Sequence, residues 1–110
     1  MKKSKISFEI ELDENNLPQT ISLNTDDGKL NNVKVKSILI SAWDAKTKET
    51  LRIDLWTKDM MVNEMMIMYH QTLISMANSL ERATNEDKLA GALKDYCAFF
   101  AEQSGIINPK

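Results

Sequence analysis

One cysteine, one histidine, three glycines and two prolines are spread through these 110 residues, and no sign of charge dominates. Each scarcity excludes something. A lone Cys97 cannot close an internal disulfide, so no oxidising compartment is implied. Together with a single histidine, His70, it leaves only carboxylates as further metal ligands, and no metal site is expected. Asp26-Asp27-Gly28 faintly echoes a calcium loop, but lacks the alternating oxygen ligands and the closing glutamate. Gly28, Gly91 and Gly105 are isolated from one another, so no glycine-rich phosphate loop is present. A formal charge of −2 does not suit a protein that binds nucleic acid through bulk phosphate attraction. No apolar run approaches the roughly 18 residues of a membrane span. The basic start MKKSK leads into an alternating stretch and not into an apolar segment, which is unlike a secretory signal. That start reads as a solvated terminus, and a cytoplasmic protein is the simplest expectation.

What is present is periodicity. KISFEIEL alternates strictly, with Ile6, Phe8, Ile10 and Leu12 on one face, as in a half-buried strand. The turn formers of DENNLP follow, and QTISLN (19–24) reads as a weaker strand paired antiparallel with the first. Leu17 adds to their apolar face. TDDGKLNN reads as a longer connection to another part of the sheet. VKVKSILISAW (33–43) is the longest strand candidate, apolar on both parities, which predicts a central strand covered on both sides. After the polar loop DAKTKE, TLRIDLW returns as a strand with Leu51, Ile53 and Leu55 facing inward and Arg52, Asp54 and Trp56 outward.

Beyond Trp56 the period changes to three and four. Val62, Met65, Met66, Tyr69, Leu73, Met76, Ala77 and Leu80 mark a helix to about Ala83, with Asp59 as its N-cap. Ile67, Met68 and Ile74 widen its apolar arc. Thr84-x-x-Asp87 has the form of a capping box for a second helix, whose inner stripe is Leu89, Leu93, Tyr96, Cys97 and Phe100. Gly105 is placed as its terminating residue, and Ile106 and Ile107 are expected to pack in the tail. Strands first and helices after predict one α+β domain over residues 1–110: a four-stranded antiparallel sheet followed by two helices, ββββαα.

Chemistry is harder to find. His70 sits among Met66, Leu73 and Ile74, without a helical neighbour able to orient it as a base. Cys97 lies on an apolar stripe, where a free thiol behaves as a small hydrophobe. A Cys97–His70 pair between the helices is conceivable, but plain packing is the better reading. Arg52 and Asp54 are read as a solvated strand face. No catalytic residue and no cofactor site is assigned. The methionines are the more telling group, with Met60, Met61, Met65, Met66, Met68 and Met76 in or beside the first helix. Most such stripes are core, yet these cover too many directions for one stripe. Flexible thioethers suit surfaces that adapt to partners. Met61, Met65, Met68, Trp43 and Trp56 are therefore the candidate protein-interaction surface.

The segment SAWDAKTKETLRIDLWTKDM (41–60) resembles the GldC family of gliding-motility proteins from Bacteroidota. The likeness continues through HQTL, RAT and KDYCAFFAE, and FEIELDEN, LP and the DDG turn fit the same pattern. RIDLWTKDM is its most specific piece. The family pattern carries proline after that methionine, where this chain has Met61. The resemblance implies an accessory or adaptor role in gliding, exercised through protein partners, with no family catalytic residue to carry over. The strand-then-helix order is also similar to that of the export chaperone SecB, so a holder of unfolded or exported clients is the second expectation. A homo-oligomer would suit both.

Overall fold

Alternating side chains and Asx turns account for most of the first half of the chain. In a computed structural model, which describes residues 2–106, the elements follow in the order β1 (Ile6–Leu12), β2 (Pro18–Thr25), β3 (Val33–Val35), β4 (Ser37–Asp44), β5 (Glu49–Trp56), α1 (Val62–Thr84) and α2 (Asp87–Ser104). Strands precede helices, as expected of an α+β chain. The expected single four-stranded sheet is replaced by two small antiparallel ones, β1-β2-β3 and β4-β5. The chain divides into two compact units, Met1–Met60 and Met61–Lys110. The expectation that Ile107 packs falls outside the described residues.

The difference arises at Lys36. Val33–Val35 pairs with β2, with Val35 opposite Ile21, whereas Ser37 onward pairs with β5, with Ser37 opposite Trp56. One continuous stretch thus changes partners at Lys36, whose carbonyl accepts a hydrogen bond from the Thr57 N–H at 2.8 Å. Val33 and Val35 thus belong to a different ladder from Leu39 and Trp43, whose parity they share, and β4, apolar on both of its own faces, has β5 as its one strand partner among the described residues and is not the expected central strand. The 25–32 segment joins neighbouring strands, since β3 pairs directly with β2.

Three aspartates shape the turns. Asp13 Oδ1 accepts from the N–H groups of Asn15 (2.8 Å) and Leu17 (3.0 Å). Asp27 Oδ1 accepts from the Lys29 N–H at 2.9 Å, and Asp44 Oδ1 from the Lys46 N–H at 2.9 Å. Each carboxylate satisfies backbone donors that the turn would leave unpaired, the Asx-turn device. Gly28 at φ 78° and Asn16 at φ 63° take the left-handed positions such turns require.

The buried core of the strand unit centres on Ile21 of β2 and Ile38 of β4. The weaker-looking second strand therefore holds the most buried large side chain. Ser22 is buried beside Ile21, and its hydroxyl accepts from Lys34 Nζ at 2.8 Å across the β2–β3 ladder. Leu51 and Ile53, expected in the core, are 59% and 51% exposed, and Leu55 is half-buried.

In the helical unit, the buried residues are Ala77 on α1 and Ala90, Cys97 and Ala101 on α2. Small side chains at a crossing let two helix backbones approach closely. The expected stripe of α2 is thereby corrected. Cys97 is buried and Leu93 and Phe100 are half-buried, but Leu89 and Tyr96 are exposed. Tyr96 instead clusters with Phe99 and Phe100, ring centroids 6.0 and 6.3 Å away.

The helix ends also differ from expectation. The N-cap of α1 is Met61, whose N–H donates to Glu64 Oε1 at 3.0 Å. Asp59 lies before it and is engaged by Thr57. Thr84 is the last residue of α1, where its hydroxyl donates to the Leu80 carbonyl at 2.7 Å and accepts from the Glu86 N–H at 3.1 Å. It therefore ends one helix, and Thr84 and Asp87 form no capping box. Asn85 at φ 59° terminates α1, and Gly105 at φ 79° terminates α2 as expected.

Candidate protein-interaction surface

The sequence DLWTKD (54–59) carries the strand β5 into the corner before α1, and its residues divide between two clefts. Asp54, Leu55, Trp56 and Lys58 line one, of about 330 Å³, with Leu17 and Pro18. Thr57 and Asp59 line the other, of about 340 Å³, with Ile21, Val35 and Lys36 among its walls. The strand ends at Trp56, and Thr57 and Asp59 part from Trp56 and Lys58 in the turn that follows it.

Thr57 fixes the corner. It is buried, its N–H donates to Lys36, its carbonyl accepts from the Met60 N–H at 3.1 Å, and its hydroxyl donates to Asp59 Oδ1. That hydroxyl is the chief cause holding the Asp59 carboxyl below its usual range, with the charge of Lys36 adding to it. The next residue, Lys58, donates through its N–H to the Pro18 carbonyl at 3.2 Å and through Nζ to Asp13 Oδ2 at 2.9 Å. Sequence reasoning passed over Thr57 and Lys58. Their signal was only that they stand inside RIDLWTKDM.

Both tryptophans are open, Trp43 at 66% and Trp56 at 52% exposure. The register places them on the same face of the β4–β5 ladder but toward opposite ends, with Trp43 opposite Thr50 and Trp56 opposite Ser37. Arg52 and Asp54, on that face too, stand opposite Ser41 and Leu39 and not opposite charges. The face is thus mixed, with aromatic ends and a polar middle.

The candidate methionines belong to the helical unit. Met61 is exposed at the start of α1, whereas Met65 and Met68 are half-buried. Met66 and Met76 are exposed as well, so the methionines do not form one buried stripe. Met76 lines a groove on the helical pair with Leu80 and Leu93, of about 560 Å³, whose floor also carries Ser75 and Ser79.

His70 stacks on Phe100, ring centroids 6.3 Å apart and planes 23° from parallel. Cys97 is free and buried. Among the described residues, no group of three or more His, Cys, Asp or Glu side chains is placed to hold a metal ion. No helix among them is long and apolar enough to cross a membrane.

Neither the curated proteins nor the solved structures yield a match to this chain. The model of the GldC-like family, described as gliding motility-associated protein GldC-like, matches residues 18–106, which include β2 to α2 and the whole DLWTKD corner. By that match the chain belongs to the GldC-like family of gliding motility-associated proteins.

Proposed function

We propose that this protein is a cytoplasmic accessory or adaptor of the gliding-motility machinery, working through protein contacts as a self-associating chain and without catalysis of its own. The observation that carries this reading is the exposure of both tryptophans on one face of β4–β5, with Trp56 set in a cleft between Leu17, Pro18 and Lys58. Large aromatic side chains with a half-open surface and a charged rim are the usual anchors of protein interfaces. The exposed methionines of α1 support the same reading, since they present adaptable apolar surface. Burial of the Cys97 thiol and the stacking of His70 on Phe100 support a structural role for the two residues closest to a catalytic pair.

The test is recovery of a gliding-machinery component by the tagged wild-type protein from a gliding bacterium, compared with Trp56→Ala. The expected result is a defined gliding partner with the wild type and its loss with the folded variant. Retention of the partner by Trp56→Ala and by Trp43→Ala would overturn the assigned surface. Suppression of the aggregation of an unrelated unfolded protein, with no gliding component recovered, would favour a holder of clients. Loss of gliding in a folded His70→Ala/Cys97→Ala protein that still binds its partner would count against a non-enzymatic role.

A further inference from the structure

Helix α1 carries more apolar surface than α2 covers. Its side toward α2 is marked by buried Ala77 and by His70, which stacks on Phe100. A second stripe runs beside it through Val62, Met66, Tyr69, Leu73, Met76 and Leu80. The steps alternate between four residues and three, the heptad spacing of a helix that packs lengthwise on another. Leu73 and Leu80 are half-buried, but the other four are open, from 37% at Met66 to 74% at Val62.

The groove on the helical pair belongs to the same stripe. Met76, Ser79, Leu80 and Ala83 are among its walls. Their spacing of three, one and three residues is that of the four residues that surround one inserted side chain in coiled-coil packing. The hole is therefore already formed, with two small side chains, Ser79 and Ala83, leaving it wide. The positions that flank the stripe are Asn63, His70 and Ala77 on one side and Met65, Thr72 and Ser79 on the other, with no Asp, Glu, Lys or Arg among them. Flanking charges are what select a different helix as partner. Without them the surface suits a copy of itself.

We propose that α1 of a second copy covers this stripe, the two helices packed antiparallel, with Tyr69 of each filling the hole between Met76, Ser79, Leu80 and Ala83 of the other. The proposal rests on the self-association proposed above and supplies its interface. Size complementarity sets the direction. Antiparallel packing puts the large Tyr69 into the small-walled hole, Met66 beside Ala83, and Leu73 beside Met76. Parallel packing would bring two Tyr69 rings abreast and leave two Ala83 side chains facing a void. A twofold axis across the helices repeats each contact, as an isologous dimer requires. The four open side chains and the groove together offer roughly 600 Å² per partner, the lower end of what stable dimers bury.

The full-length protein tests this. Sedimentation at micromolar concentration is expected to give a dimer. Met76→Lys would bury an unpaired charge and is expected to weaken it about a hundredfold. Asn78→Lys, on the opposite side of α1, should leave it unchanged. Ser79→Phe fills the hole and should weaken dimerisation about tenfold, and Tyr69→Ala in the same chain should restore it. Met76, Asn78 and Ser79 are all exposed, and circular dichroism checks the folding of each variant. If Met76→Lys misfolds, the Ser79→Phe and Tyr69→Ala combination decides. A monomer overturns the interface and self-association together, and a monomer that loses a gliding partner through Met76→Lys gives the stripe to that partner instead. A dimer that Met76→Lys or Ser79→Phe leaves equally tight, or that Tyr69→Ala fails to restore, overturns the interface alone.

Discussion

Lys58 Nζ lies 2.9 Å from Asp13 Oδ2, joining the corner after β5 to the β1–β2 turn 45 residues earlier. The Asp13 side chain is only 9% exposed and already holds the N–H groups of Asn15 and Leu17, whereas Lys58 remains 53% exposed. The two partners are therefore unequal. Asp13→Ala is expected to lower the urea midpoint clearly more than Lys58→Ala, because it also leaves turn donors without their acceptor. Equal losses would show that the ion pair and not the turn is what matters.

Acid should weaken the strand unit. Asp13, Asp27 and Asp59 are all held below the ordinary aspartate value: Asp13 chiefly by the Leu17 N–H and then Lys58, Asp27 chiefly by the Thr25 hydroxyl, Asp59 chiefly by the Thr57 hydroxyl. Unfolded aspartates titrate near about 3.9. Their folded values are depressed, so between the two the unfolded chain binds more protons and stability rises with pH. The contribution is complete above the unfolded value and is lost as pH falls through the folded ones. Denaturant midpoints measured from neutrality down through the aspartate range should fall in that window, and Asp27→Asn should flatten the decline. A midpoint that climbs on acidification would contradict the assignment.

The helical pair should resist enlargement. Ala77, Ala90 and Ala101 are fully buried, so Ala90→Leu is expected to cost about 1–3 kcal/mol through overpacking. Exposed Leu89→Ala on the neighbouring position should stay within about 0.5 kcal/mol. Thermal unfolding of the two variants measures the contrast, and similar losses would mean that α2 does not pack along its alanine line.

Asn85 holds φ 59° at the end of α1. Asn85→Gly should be close to neutral, while Asn85→Ala should lose about 1 kcal/mol, since a Cβ without a local hydrogen-bonding group disfavours that conformation. Equilibrium denaturation distinguishes them.

Tryptophan emission reports the open face directly, because Trp43 and Trp56 are the chain's two indoles. Dilute protein should emit at long wavelength and be readily quenched by acrylamide. Emission at short wavelength, shielded from acrylamide, would contradict the exposure of Trp43 and Trp56.

The strands, the helices and their order were legible because two-residue and 3.6-residue periods leave different marks. The exchange of partners at Lys36 was not, because it depends on which distant strands meet this stretch, β2 before Lys36 and β5 after it. Apolar residues on both parities signalled double coverage, but Val33 and Val35 serve another ladder and, on β4, the parity of Leu39 ends in Trp43, which is open. Helix starts failed for a similar reason. Asp59 and Thr84 have the chemistry of caps, but both use it on nearer partners, Thr57 and Leu80. Trp56 could be read as outward because it shares its parity with Arg52 and Asp54, whereas Trp43 stands in a stretch apolar on both parities. The role of Thr57 could not, since an isolated threonine after a strand carries no pattern.

The division of DLWTKD between two clefts also limits how this segment can vary through descent. Trp56 and Lys58 face one cleft while Thr57 and Asp59 face the other. Substitutions change one wall at a time, but a single inserted or deleted residue would displace the lining of both clefts at once and carry the Thr57 N–H away from the Lys36 carbonyl. Length, more than any one side chain, is thus the heritable constraint on this corner, and lineages of the family are expected to accumulate replacements here while excluding gaps.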